Sequence, residues 1–201
     1  MDPTVMFQIS YGLYVLSAKE EEKDNGCIIN TVMQVTDTPK RIVIAVNKQN
    51  LTHDMIQKTG VFSVSILDQS AGFELFQHFG YQSGRTAEKY QGYPGCVRGE
   101  NGLYYLREHT SAYLGGKVLS EMDLGTHTMF VAEVTEGSHL STLPPMTYAR
   151  YQEHVKPKPK KEEKGGYRCK ICGYVYEGDV LPEDFICPIC KHGADDFEKI
   201  M

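Results

Sequence analysis

Two Cys-x-x-Cys pairs, Cys169 with Cys172 and Cys187 with Cys190, stand near the end of this chain with 14 residues between them. Each pair sets two thiols on one tight turn, and two such turns bring four thiolates to a tetrahedral metal site. Gly173 follows the first pair, where the turn wants positive φ, and Pro188 stiffens the second. The stretch from 166 onward is too short to bury a core of its own. Domains below about 40 residues usually lean on a metal, disulfides or a partner. Metal binding is therefore expected to supply folding free energy. A disulfide framework is the rival reading. Against it, the opening Met1-Asp2-Pro3 shows neither a basic n-region nor an apolar h-region, so a reducing, cytoplasmic setting is expected. A sulfur tetrad suits zinc and iron alike, and the spacing leaves both open.

The 201 residues allow one or two domains, and the net charge of −5 shows no nucleic-acid footprint. No apolar run approaches the roughly 18 residues of a membrane span. Composition shifts at 154–165, where Lys alternates with Pro and Gly165-Gly166 follows, so three parts are expected: 1–153, a solvated spacer at 154–165, and 166–201. The last part holds four basic and seven acidic side chains, net −3. That suits docking on a basic patch of a redox partner, and suits a solvated surface equally. Cys27 and Cys96 read as small buried hydrophobes.

Before the spacer the pattern is mainly β. Residues 4–18 alternate as a strand, Asn25-Gly26 reads as a hairpin turn, and 27–35 as the return strand. Strands are expected at 41–46, 61–67, 103–107, 111–121 and 127–135. Two short helices intervene, one capped by Asn50 and ended by Gly60, the other capped by Ser70 over Phe73, Leu75, Phe76 and Phe79. Such a domain closes as a barrel or a split barrel. No G-x-G-x-x-G follows a strand, and no Walker motif or nucleophile elbow appears. What does appear is a helix start dressed with Lys48, Asn50, Thr52 and His53. Free amides plus a cation there make a site for one phosphate, although capping and surface charge account for the same residues.

Cys169-x-x-Cys172-Gly-Tyr-Val-Tyr, then Leu181-Pro-Glu-Asp-Phe185-x-Cys187-Pro-x-Cys190 and Asp196-Phe-Glu, resembles the rubredoxins, in the short-loop form fused to rubrerythrins. The resemblance implies one iron on Cys169, Cys172, Cys187 and Cys190, and transfer of one electron. Phe185 stands where those proteins usually carry Trp. Gly12-Leu-Tyr-Val-Leu-Ser, Gly26-Cys-Ile-Ile-Asn30-Thr31-Val32-Met33-Gln34-Val and Ile42-Val-Ile-Ala-Val-Asn47-Lys48-x-Asn50-x-Thr52-His53 resemble the flavin reductase–like, FMN-binding split barrels. That resemblance implies FMN, with Asn30, Thr31, Val32, Met33 and Gln34 along the isoalloxazine and Asn47, Lys48, Asn50, Thr52 and His53 at the phosphate. It also implies a homodimer with the flavin near the interface. Gly125-Thr126-His127, followed by Ala132-Glu133-Val134, is similar to that family's Gly-Asp-His…Gly-Glu-Val. His127 is the implied catalytic residue beside flavin and nicotinamide, with a buried, hydrogen-bonded histidine as its rival reading. Arg85 and Lys89 are expected as loop surface rather than dinucleotide contacts.

The domain order resembles the high molecular weight rubredoxins. It implies a path from NADH, or NADPH, through FMN to iron and on to a flavodiiron protein that reduces nitric oxide or oxygen, a role in nitric oxide detoxification. Two rivals stand beside it. One is a flavin reductase releasing reduced FMN with a zinc-ribbon tail, and the other is a flavin- or haem-binding relay without hydride transfer.

Overall fold

A computed structural model describes residues 2–157 and 166–200. The chain divides into two compact units, Met1–His154 and Val155–Met201. Strands β1 (Tyr14–Glu20), β2 (Lys23–Ile29), β3 (Val32–Thr36), β4 (Arg41–Asn47), β5 (Val61–Leu67), β8 (Thr110–Asp123) and β9 (His127–His139) form one antiparallel sheet in the order β2-β1-β5-β8-β9-β4-β3. A two-stranded ribbon, β6 (Cys96–Arg98) with β7 (Tyr104–Leu106), and helices α1 (Leu51–Thr59) and α2 (Phe73–Gly80) complete the first unit's main elements.

Alternation decides which face is covered. On β4, Ile42, Ile44 and Val46 are buried while Arg41, Val43, Ala45 and Asn47 are only half-buried. On β9, Phe130 and Ala132 join that inner face, and with Leu16, Phe62, Val64, Met55 and Ile56 they make a continuous core. Met55 and Ile56 come from α1, so this helix is held by its apolar side against the sheet. Gly60 ends α1 at φ 71°, with its amide bonded to Ile56 O. The smaller unit is a three-stranded sheet, β10 (Gly166–Cys169) between β11 (Val175–Tyr176) and β12 (Phe197–Ile200).

Four expectations are corrected. Residues 4–18 are not one strand: Pro3–Gln8 is a 3₁₀ helix, and β1 starts at Tyr14. Asn25-Gly26 is not a turn. The chain reverses at Glu21 and Glu22, with Glu21 at φ 53°, and Gly26 pairs with Ser17 inside β2. Gly26 is needed because a Cβ there would lie 2.8 Å from Tyr90 Oη and 3.1 Å from the Phe79 ring. The return strand divides at Asn30-Thr31, since β3 leaves β1 and pairs with β4 at the far edge of the sheet. Helix α2 is capped by Gly72, because Ser70 spends its hydroxyl on Asp68. Of the expected spacer, residues 158–165 lie outside the described residues, and His154 and Val155 belong to a π-helical turn, Tyr151–Val155.

Candidate metal centre and flavin site

Cys169 ends β10 and starts the first metal turn, where the Gly173 amide returns to Cys169 O at 2.9 Å with Gly173 at φ 80°. The second turn repeats this: the Lys191 amide bonds Cys187 O at 2.9 Å, with Lys191 at φ 64°. All four cysteines are buried, and their sulfurs lie within 4.8 Å of one another. Cys169 Sγ is 3.5 Å from Cys190 Sγ, and Cys172 Sγ is 3.5 Å from Cys187 Sγ. A tetrahedron with metal–sulfur bonds of about 2.3 Å has edges of about 3.8 Å, so one thiophilic ion fits. Burial pushes the Cys172 thiol up to about 11. Burial also opposes ionisation at Cys187, but hydrogen bonds from the amides of Cys190 and Ile189, together with those from the Cys172 and Cys190 thiols, outweigh it and hold that thiol below the usual range. Amides of Tyr174 and His192 meet Cys172 and Cys190 in the same way, and such donors stabilise thiolate and tune a metal's potential. Phe185 fills the aromatic core of this unit, 4.7 Å from the Tyr176 ring and 5.4 Å from that of Phe197.

In the larger unit a groove of about 390 Å³ runs along β3, and Asn30, Thr31, Val32 and Met33 line it. Thr31 is pinned by its hydroxyl to Ala45 O at 2.6 Å. Gln34 lines a neighbouring cavity instead, because it shares the inner face with Val32. Sequence reasoning missed the opposite wall, where Ser10, Tyr11, Gly12 and Tyr14 stand, and Met129 at the floor. Gly12 was the available signal, since any side chain there would strike the Tyr14 ring.

The residues expected at the phosphate separate. Asn50 sits at the N-cap of α1 but makes no side-chain cap bond. Asn47 turns its carboxamide to the Gln49 amide at 2.9 Å. Lys48 Nζ lies 2.7 Å from Asp123 Oδ1, and this ammonium, with the Gly125 amide, holds the Asp123 carboxyl below the usual carboxylate range. Thr52 and His53 point inward. Thr52 Oγ1 accepts from Asn25 Nδ2 at 2.8 Å, and His53 is 3% exposed, bonded to Thr128 Oγ1 at 2.8 Å and Asp54 Oδ1 at 3.0 Å. A side chain on the packed side of an amphipathic helix is committed to the core, so the Thr52 and His53 side chains are not open to an anion.

His127 opens β9 in register with Asn47 and shares its face with Met129, two residues on. It is half-buried, with Nδ1 2.9 Å from Thr126 Oγ1, the residue replacing the family's Asp. Arg85 pairs with Asp54 at 2.7 Å on the surface, as expected. Lys89 is not surface: it is 3% exposed, and its ammonium donates to Gly26 O at 2.8 Å and Phe79 O at 2.9 Å. Burial lowers its pKa from the usual lysine value. Cys27 is buried, and Cys96 half-buried, bonded to Tyr93 O.

Residues 6–156 match the flavin reductase like domain, and residues 167–198 match the rubrerythrin, rubredoxin-like domain. The full chain is 37% identical to the whole of the high molecular weight rubredoxin of Moorella thermoacetica. The chain belongs to the high molecular weight rubredoxin family. As a high molecular weight rubredoxin family member, it is a flavin reductase-type electron-transfer oxidoreductase with a rubredoxin-like four-cysteine site. It is 35% identical to the ferric-chelate reductase (NAD(P)H) of Archaeoglobus fulgidus over 80% of this chain and 93% of that protein. It is 27% identical to diflavin flavoprotein A 1 of a Synechocystis species over 65% of this chain and 22% of that protein. The fold is shared with the NADH:FAD oxidoreductase of Streptomyces globisporus, with a TM-score of 0.64 at 21% identity, covering 71% of this chain and 84% of that one. Among the described residues no helix is long and apolar enough to cross a membrane.

Proposed function

We propose that this protein carries electrons from NADH, or NADPH, through bound FMN to a rubredoxin-type iron and on to a separate redox acceptor, a flavodiiron protein. One observation carries the reading: a flavin reductase like domain and a four-sulfur site lie on one chain. When bound, flavin supplies acceptance of an electron pair from a nicotinamide with release one at a time, and iron supplies one-electron carriage. Asn30, Thr31, Val32 and Met33 line the ring's groove, and Gln34 lines the cavity beside it. Lys48 and the first-turn amides of α1, after Asn47 and Asn50, hold the phosphate. Thr52 and His53 position that turn from within through Asn25 and Thr128. His127, on the face of Met129, orients the nicotinamide or the flavin edge. Cys169, Cys172, Cys187 and Cys190 hold the iron. The amides on their sulfurs set how readily it accepts charge.

The flavodiiron acceptor is supported by the match to a segment of a diflavin flavoprotein, where a domain of this type forms part of a longer chain. A nitric oxide detoxification role and a cytoplasmic setting follow from that acceptor. A homodimer is supported by the outer face of β3, β4, β9 and β8, where Met33 is 61% and Met122 55% exposed beside the groove. The test is the protein purified without added cofactor. A yellow flavin spectrum, a red ferric–thiolate band and one iron per chain are expected. A colourless protein loaded with zinc overturns the reading.

A further inference from the structure

The turn between β8 and β9 holds an anion that belongs to the chain itself. Asp123, the last residue of β8, directs Oδ1 at two donors, Lys48 Nζ at 2.7 Å and the Gly125 amide at 2.7 Å. Gly125 has φ 83°, in the left-handed region that favours glycine, and this conformation belongs to the turn that presents its amide. The Lys48 amide donates to Thr126 O at 3.0 Å, so the end of β4 is knit to the same turn. A cation and a backbone amide converging on one oxygen make a donor set that suits a phosphate oxygen as well as a carboxylate. Lys48, followed by the Gly125 amide, lowers the Asp123 pKa from the usual carboxylate value, so this carboxylate is ionised at neutral pH. The Asp123 side chain is 71% exposed and that of Lys48 37%, so either can turn to water without disturbing the core. Exposed pairs of this kind are weak, and a more highly charged anion can take the place of one partner.

We propose that Asp123 is a built-in competitor for the flavin phosphate, holding Lys48 and the Gly125 amide until a phosphate monoester displaces it. The inference rests on the proposed function, which sets the phosphate at Lys48. It adds the Gly125 amide as a second donor and Asp123 as the residue that moderates affinity. A phosphate monoester carries about −1.5 to −2 charges at neutral pH against −1 for the carboxylate, so the exchange favours the phosphate. Breaking the Lys48 pair, and leaving a carboxylate near a like charge, both subtract from what the phosphate gains. The penalty falls on flavins that carry a phosphate and spares riboflavin, which has none. Asp123 therefore tunes FMN retention through the phosphate end alone, away from the ring's groove.

The experiment titrates full-length, metal-loaded protein, dialysed free of flavin, with FMN and with riboflavin, following fluorescence at low and high salt. Asp123→Asn, Asp123→Ser, Lys48→Ala and the Lys48→Ala/Asp123→Asn pair are compared with the parent. Both Asp123 variants remove the charge and keep an acceptor for the Gly125 amide. Asp123→Asn is expected to bind FMN about fivefold more tightly at low salt, with riboflavin affinity unchanged. The gain shrinks at high salt and shrinks again when Lys48 is Ala, because the contested cation is screened or gone. If Asp123→Asn loses riboflavin affinity through a disturbed turn, Asp123→Ser carries the comparison. FMN affinity that is unchanged or weakened in the uncharged variants, with riboflavin affinity intact, overturns the inference. If Lys48→Ala still weakens FMN binding in that case, the phosphate placement of the proposed function stands and the competitor alone falls. If Lys48→Ala leaves FMN binding unchanged, both fall.

Discussion

At the residue scale, the helix start shows how residue type and residue role part company. Lys48, Asn50, Thr52 and His53 look alike in sequence as anion ligands, yet Thr52 and His53 are buried and bonded inward, and only Lys48 offers an exposed cation. Two substitutions separate these roles. Lys48→Ala weakens FMN binding about fivefold or more by fluorescence titration; full flavin occupancy after dialysis would argue against Lys48 as the phosphate partner. Thr52→Ala instead strips Asn25 Nδ2 of its acceptor beside a carboxamide oxygen that already lacks a partner. It costs roughly 1–3 kcal/mol in urea unfolding, the cost of an unsatisfied buried polar group. At the metal, Cys172 is pushed up to about 11 by burial, so at neutral pH its thiol holds a proton that the ion must displace. Metal uptake therefore strengthens as pH rises toward that value and weakens as pH falls. Metal retention in a competing chelator, measured between pH 5 and 9, checks the sign, and a flat profile contradicts it.

At the element scale, the two metal turns make a matched pair with unequal chemistry. Gly173 and Lys191 hold the same place after Cys172 and Cys190, both at positive φ. Gly173→Ala is expected to cost roughly 1–2 kcal/mol. Lys191→Gly relieves similar strain against about 0.5–1 kcal/mol of backbone entropy, so it is neutral or stabilising. Guanidinium unfolding of the metal-loaded protein reads both, and a destabilised Lys191→Gly would falsify the pairing. The strands of the barrel were legible where one face is buried and the other is not, as on β4 and β9. Legibility failed where a residue serves packing rather than local conformation. Gly26 resembles a turn glycine but is small to admit Tyr90 and Phe79. Val5 and Ile9 alternate like strand residues, yet Pro3–Gln8 winds as a 3₁₀ helix. The four cysteines were legible because a metal site demands its ligands in sequence. The groove's far wall, from Ser10 to Tyr14, was not, because nothing in a run of ordinary side chains marks it as facing β3.

At the scale of the whole molecule, the outer face of β3, β4, β9 and β8 makes the strongest claim on assembly. Met33 and Met122 are exposed there beside the flavin groove. Light scattering is expected to give twice the chain mass, and Met122→Asp to return it to one chain with weaker flavin retention; a monomeric parent with full flavin contradicts the homodimer. The order of electron flow is the central claim, and anaerobic stopped-flow mixing with NADH tests it most directly. Flavin absorbance is expected to bleach first and the ferric–thiolate band after it, while a Cys190→Ser variant keeps the first phase and loses the second. Flavin bleaching with the iron band left unreduced, or no bleaching with either NADH or NADPH, contradicts the path.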